Sequence, residues 1–207
     1  MFEYRKDAGE RLARALEKYK GEDVLVLAIP RGGVEVAYEV AKYLGVDYSL
    51  LVARKLPYPH NPETGFGAVA EDGSIFIFER AAVWLGRKRI EKITKEQLRE
   101  IIRRIDVLRK GKPLPEISGR TVVLVDDGLA MGSTMRAAIM LCKNKKAAKI
   151  VVAVPVAGRE VANEIAAIVD ELVVLEVPPF FQAVAQVYRN WYDVGDEEVL
   201  EIMARPT

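Results

Sequence analysis

The 207-residue sequence has a single cysteine, Cys142, and a single histidine, His60. One thiol cannot close a disulfide within the chain, so a reducing compartment is expected. Cys142 lies on an apolar helical face and reads as a small buried hydrophobe. His60 lies in a proline-rich loop with no partner triad in view, so it reads as a surface residue. Charge of one sign is also lacking: 31 Lys and Arg against 30 Asp and Glu leave a net +1. No global field therefore calls for nucleic acid or an anionic membrane as partner. No run of about 18 apolar residues exists to span a bilayer. The opening Met1-Phe-Glu-Tyr-Arg-Lys-Asp7 has no apolar stretch after its charges, unlike a signal peptide. A cytoplasmic globular protein is expected.

What is present is an alternation. Half of the residues are apolar, enough for one domain with a substantial core or a domain with a small appendage. Short β-branched runs at 23–29, 48–53, 121–125, 150–156 and 172–177 read as strands. Between them, 34–44, 133–143 and 159–167 read as helices. Near-continuous apolar strands separated by helices predict an open α/β fold: a mainly parallel twisted sheet with helices on both faces. In such sheets ligands sit beyond the carboxyl ends of the strands.

Three segments stand outside this alternation. Residues 5–20 predict an amphipathic helix with Ala8, Leu12, Ala15, Leu16 and Tyr19 on one side. Residues 54–79 hold prolines at 57, 59 and 62, then a hairpin turning at Asp72-Gly73. Residues 87–112 carry eleven basic and four acidic side chains, net +7, so the remainder is about −6 by difference. Ile90, Ile93, Leu98, Ile101, Ile102, Ile105 and Leu108 recur there at three- and four-residue spacing, an amphipathic helix.

The segment richest in chemistry is Thr121-Val-Val-Leu-Val-Asp126-Asp127-Gly128-Leu-Ala130-Met131-Gly132-Ser133-Thr134. An apolar strand ends in two acids, and a short loop with two glycines delivers two hydroxyls to a helix start. Unpaired amides and the helix dipole favour an anion there, so Gly132, Ser133 and Thr134 make a phosphate cradle. Adjacent carboxylates repel a phosphate but can accept from neighbouring hydroxyls or order a hydrated magnesium ion. Cradle and acid pair together describe a ribose 5-phosphate site. Successive strand residues point to opposite faces, so the strand must end or twist at the pair if both acids serve one ligand. A plain strand–turn–helix with Asp and Ser as turn and cap residues is the bland alternative. It leaves two acids on an apolar strand end without a purpose. A Walker A loop is excluded, since no lysine follows the glycine.

These residues resemble the type I phosphoribosyltransferase family, whose signature is an apolar strand, two acids, three variable residues and a Thr-Gly-Ser/Thr/Gly-Thr loop. The likeness runs from Val122 to Thr134 with one departure, Met131 in place of Thr or Ser. It implies ribose 5-phosphate contacts from Asp126, Asp127, Ala130, Met131, Gly132, Ser133 and Thr134. Ala28-Ile-Pro30-Arg31-Gly32-Gly33 resembles the family's pyrophosphate loop, with Arg31, Gly32 and Gly33 as contacts and a cis Pro30–Arg31 peptide expected. Arg31 offers a fork suited to phosphate oxygens, and paired glycines permit a strained turn. Arg54-Lys55-Leu56-Pro57 resembles a basic tetrad that reaches pyrophosphate in adenine-specific relatives. Arg54 and Lys55 read equally well as solvated charges. Tyr4 to Ala13, Asn61 to Asp72 and Val177 to Val184 are similar to a bacterial and archaeal subgroup, a likeness that covers nearly the whole chain.

The resemblance implies a single domain over 1–207, with a flap or insert about 54–115 and a C-terminal hood about 178–207. Phe180, Phe181, Tyr188 and Trp191, with Tyr192, would be the hood's base-binding aromatics or a small satellite core. Helix 87–112 would be a mobile flap or a solvated face. The implied reaction is transfer from phosphoribosyl pyrophosphate to a nitrogenous base, a glycosyltransferase step of nucleotide metabolism. Asp126, Asp127 and Arg31 would be catalytic, and Mg²⁺, the one cofactor, would come with the substrate and be ordered by the acids. Partners are the donor and an unidentified base, with no nucleic acid and no membrane. A homodimer is carried as an expectation that no particular residue supports. The competing class is a non-catalytic regulator of the same fold that binds the donor or a nucleotide, to which Met131 adds some weight. A nucleic-acid binder using the +7 helix is a weaker third reading, testable by salt dependence.

Overall fold

Strand β1 (Val24–Ala28) is buried at all five residues, which only an apolar run covered on both sheet faces allows. The computed structural model describes residues 1–207. β1 pairs in parallel with β2 (Tyr48–Leu50) on one side and β6 (Thr121–Val125) on the other. β7 (Lys149–Val156) and β8 (Glu171–Glu176) complete a five-stranded sheet of order β2-β1-β6-β7-β8, with every pairing parallel.

The period of two sorts the strand residues between two cores. Val24, Val26, Val123, Val125 and Val151 face one cluster with helices α1 (Arg5–Ala15) and α2 (Gly33–Leu44). Leu25, Leu27, Val122, Leu124 and Val152 face the other with α5 (Ser133–Asn144) and α6 (Arg159–Ala166). The α1 register differs in one detail from the sequence expectation: Ala13 is buried and Ala15 exposed. The helix gives way to a 3₁₀ turn at Glu17–Tyr19, which brings Leu16 and Tyr19 back to the core.

The apolar run 48–53 is two strands, not one. β2 stops at Leu50, the buried Leu51 and Val52 cross over, and β3 (Ala53–Tyr58) opens a second sheet. β4 (Asn61–Ala70) and β5 (Ile75–Ile77) complete it, antiparallel in order β3-β4-β5. Pro57, which has no N–H to give the ladder, sits where the β3–β4 register shifts. The expected turn at Asp72-Gly73 is present: Gly73 has φ 88°, and Asp72 accepts from the Ser74 amide at 2.9 Å.

After α3 (Glu79–Leu85), the long α4 (Arg87–Leu108) lays Ile93 and Ile101 on this second sheet against Val52, Leu56, Phe66 and Val69. Ile102 is instead 60% exposed, so the apolar stripe is narrower than the spacing suggests. The C-terminal α7 (Asp196–Met203) packs Val199 and Ile202 into the main core beside α2. That leaves about 178–195 to arch over the strand ends. No helix is long and apolar enough to cross a membrane.

Candidate active site

β1 and β6 are neighbours, so the loops that follow them meet at the carboxyl edge of the sheet. The Pro30–Arg31 peptide is cis, as the resemblance implied. Gly32 and Gly33 are required here for space rather than for an unusual turn, since Gly32 has an ordinary helical φ of −59°. A Cβ on Gly32 would lie 2.0 Å from Asp127 Oδ2, and one on Gly33 would lie 2.9 Å from Asp126 Cα. The two motifs therefore interlock, and the acid pair rests against the glycines. Gly32→Ala is expected to push Asp127 off its position, at about 1–3 kcal/mol of overpacking. A thermal melt with a lower midpoint checks this, and an unchanged midpoint counts against the contact.

β6 ends at Val125, so Asp126 and Asp127 lie just past the regular strand, and of the two only Asp127 borders the cavities beside the pair. Asp127 is buried and Asp126 half-buried. The Asp127 amide donates to Asp126 Oδ1 at 2.8 Å. Arg5, from the first turn of α1, donates from Nε to Asp127 Oδ2 at 2.8 Å. Tyr188 donates its hydroxyl to the Asp127 carbonyl at 2.8 Å. Burial and then the neighbouring Asp127 carboxylate hold Asp126 well above the usual carboxylate range. Burial also raises Asp127, with the Arg5 guanidinium pulling the other way.

Beyond the pair, residues Gly128 to Thr134 line a cavity of 230 Å³ together with Lys55, Glu63, Gly65 and Val184. Gly132 takes φ 71° immediately before α5. That left-handed conformation suits glycine and turns the chain into the helix. Met131, 48% exposed, stands on this cavity's wall, the position the sequence register gave it. A second cavity of 540 Å³ adjoins it, sharing Lys55 and Val184. Its wall includes Arg5, Arg31, Gly32, Lys55, Arg104 and Asp127.

Arg31 faces this cavity and reaches Asp196 Oδ1 at 3.5 Å. Asp196 also receives Arg103 of α4 at 3.4 Å. Lys55 donates to the Glu63 carbonyl at 2.8 Å and has no carboxylate partner. Arg54 differs from the sequence reading. Its Nε donates to Gln97 of α4 at 2.8 Å, its guanidinium lies 3.9 Å from Glu100, and it is on neither cavity wall. It joins β3 to α4 instead.

The four aromatics do not gather on one cavity wall; Tyr188, with Phe181 packed against it, belongs to the small satellite core that was the other expectation. Phe180 is 95% exposed and lines a different cavity with Phe181, Met1 and Glu176. Tyr188 is buried between Phe2 and Trp191, and its hydroxyl is spent on the Asp127 carbonyl. Only Trp191 borders the large cavity. Its ring carries the Arg5 guanidinium, with Cζ 4.1 Å from the centroid. Cys142 is buried as expected, its thiol pushed up to about 12 by burial, and His60 is exposed in the β3–β4 turn.

Sequence reasoning missed Arg5, Arg104 and Asp193 on the cavity wall. Arg5 lay inside the Tyr4–Ala13 segment that carried the resemblance, but nothing local marks one arginine on a charged helix. Arg104 belonged to the basic helix, whose net charge could not say which cation turns inward.

With the interlocked loops and the acid pair at one sheet edge, the fold is that of the phosphoribosyltransferases, and the chain belongs to that family. Residues 3–190 match the Phosphoribosyl transferase domain. A Mycobacterium tuberculosis protein named "Putative phosphoribosyl transferase" is 39% identical over 99% of this chain and 47% of its own length. The chain thus spans about half the length of the curated relatives it matches. The crystal structure of TT1426 from Thermus thermophilus is 38% identical with a TM-score of 0.82, covering 98% of this chain and 97% of that one. The AQ2163 protein of Aquifex aeolicus shares the fold at 15% identity and a TM-score of 0.50, over 84% of this chain and 74% of its own.

Proposed function

We propose that the protein transfers the phosphoribosyl group of phosphoribosyl pyrophosphate to a ring nitrogen of a base. The supporting observation is the pair of adjoining cavities that share Lys55, one walled by the phosphate cradle and one by Arg31, Arg104 and Asp127. On this reading the 5-phosphate occupies the cradle, where the amides of Met131, Gly132, Ser133 and Thr134 serve it and Met131 adds no hydroxyl. The ribose hydroxyls meet Asp126 and Asp127. Pyrophosphate meets Arg31 and Lys55, with Arg104 beside them and Arg54 held back on α4. The bond from ring nitrogen to anomeric carbon forms as the bond to pyrophosphate breaks, and the electron pair leaves with pyrophosphate. Arg31 and Lys55 stabilise that departing charge. Asp127 already carries the Arg5 ion pair, which holds it in place to orient the sugar.

Mg²⁺ fits as an ion that arrives with the donor. Only two carboxylates lie at the sugar position, one of them paired to Arg5, and no cluster of three metal-binding side chains exists. Mg²⁺ commonly binds through one or two carboxylates plus substrate phosphates. When bound, it would neutralise phosphate oxygens.

Phosphoribosyl pyrophosphate with Mg²⁺ is expected to raise the melting temperature, and with EDTA to raise it far less. A ligand bound only by the folded state stabilises it by about 2.7 kcal/mol at 100 times its Kd. Equal shifts under both conditions would remove the ion from the site. Release of pyrophosphate on addition of one base from a panel tests the transfer itself. Donor binding without release from any base would instead support the regulator reading, which Met131 favours.

A further inference from the structure

Arg5 is held on the wall of the large cavity by three contacts. Nε donates to Asp127 Oδ2 at 2.8 Å, Nη1 donates to the Tyr192 carbonyl at 2.9 Å, and the guanidinium lies over Trp191. The side chain is only 4% exposed, yet Nη2 has no hydrogen-bond partner in the protein. A guanidinium has five N–H donors, accepts nothing and keeps its proton. Its Nη2 edge is thus the unpartnered donor edge of a side chain that lines the cavity, next to the acid that orients the sugar.

The same packing sets what an incoming ring can touch. Arg5 covers one face of Trp191, the single aromatic of the expected four on this wall, and the indole keeps 38% of its surface open. Arg31, Lys55 and Arg104 add further donors around it, and Asp193 is the one carboxylate on the wall besides Asp127.

We infer that Arg5 selects the acceptor. The base presents an oxygen to Nη2, as a ring oxo group or a carboxylate, and not an amino group. This rests on the transfer reading, which puts a base in this cavity. An amino substituent would set donor against donor and leave that edge unpaired, the kind of mismatch that a polar site rejects most strongly.

Calorimetry on two pairs decides the matter: hypoxanthine against adenine, and nicotinate against 3-aminopyridine. Each is titrated into the protein alone and into the protein with Mg²⁺ and phosphoribosyl pyrophosphate. Wherever a pair binds, the oxygen-bearing member is expected to bind tighter by about tenfold or more. Arg5→Lys keeps a cation beside Asp127 but loses the planar fork, so the ratio is expected to fall below about threefold. Amino members binding equally or better would overturn the inference. So would a ratio that survives Arg5→Lys, or no ring binding while the donor binds. If Arg5→Lys fails to fold, the wild-type ratio decides alone. Failure of the donor to bind would sink the transfer reading, and the titrations of the free protein would still decide what Arg5 selects.

Discussion

Glu71→Gln is expected to lower stability by about 3–5 kcal/mol, the usual cost of removing one partner of a buried ion pair. In a chain of this size that corresponds to roughly 10 °C in melting temperature. Arg109 and Glu71 are nearly fully buried and pair through both carboxylate oxygens, at 2.6 and 2.8 Å. Each has other duties at the same point. Arg109 donates to the Leu50 carbonyl at the end of β2 and to the Lys112 carbonyl beyond α4. Glu71 accepts from the Val52 amide, where the chain passes from one sheet to the other. The pair therefore ties the end of α4 and the end of β4 to the crossing between the sheets. A glutamine keeps the shape and one acceptor but leaves a buried guanidinium without its counter-charge. The Glu71→Leu/Arg109→Met double variant is expected to recover only part of the loss, because the Val52 amide and Leu50 carbonyl then lose partners. Denaturant titration of Glu71→Leu, Arg109→Met and the double variant measures the coupling. A loss under about 1 kcal/mol in Glu71→Gln would mean that water reaches the pair.

That junction also marks where the sequence stopped being legible. β1, β6 and β7 could be read because an uninterrupted apolar run has no other stable home than a sheet covered on both faces. The same logic failed at 48–53, where the apolar run belongs to two sheets in succession and no polar residue marks the change. The acid pair and cradle were legible because their chemistry is local, within nine residues of Asp126 to Thr134. Arg5 was not, since its partner Asp127 is 122 positions away and only the tertiary fold joins them. The two glycines of the first loop were flagged for the wrong property. Their role is to leave room for carboxylates contributed by another loop, which no local turn rule contains. The aromatics 180–192 were read as one group because they are close in sequence. The fold spreads them over an exposed tip, a buried core position and one wall of the large cavity.

Arg5→Met is expected to destabilise the protein by about 3–5 kcal/mol near pH 8, with a loss that shrinks on acidification. The variant strands Asp127 beside Asp126 with no cation in contact, in a place where burial already raises both carboxyls. A carboxyl whose folded pKa lies above its unfolded value takes up a proton more readily when folded. Stability is then highest below the ordinary carboxylate range and falls as pH rises through the raised range. The wild type should show this fall from Asp126, whose rise is led by burial and by Asp127. In Arg5→Met the fall should steepen and extend to higher pH, since Arg5 supplies the largest influences that lower Asp127. Asp126→Asn is expected to act in the opposite direction, flattening the profile and raising the melting temperature at neutral pH while weakening the donor's hold. Melting temperatures of the three proteins between about pH 4.5 and 8.5 provide the comparison, a window that spans the ordinary carboxylate range and the raised one. A loss in Arg5→Met that does not change with pH would assign the worth of Arg5 to its packing on Trp191. A lower melting temperature for Asp126→Asn across the whole range would mean that Asp126 is stabilising as a carboxylate, against its burial beside a second acid.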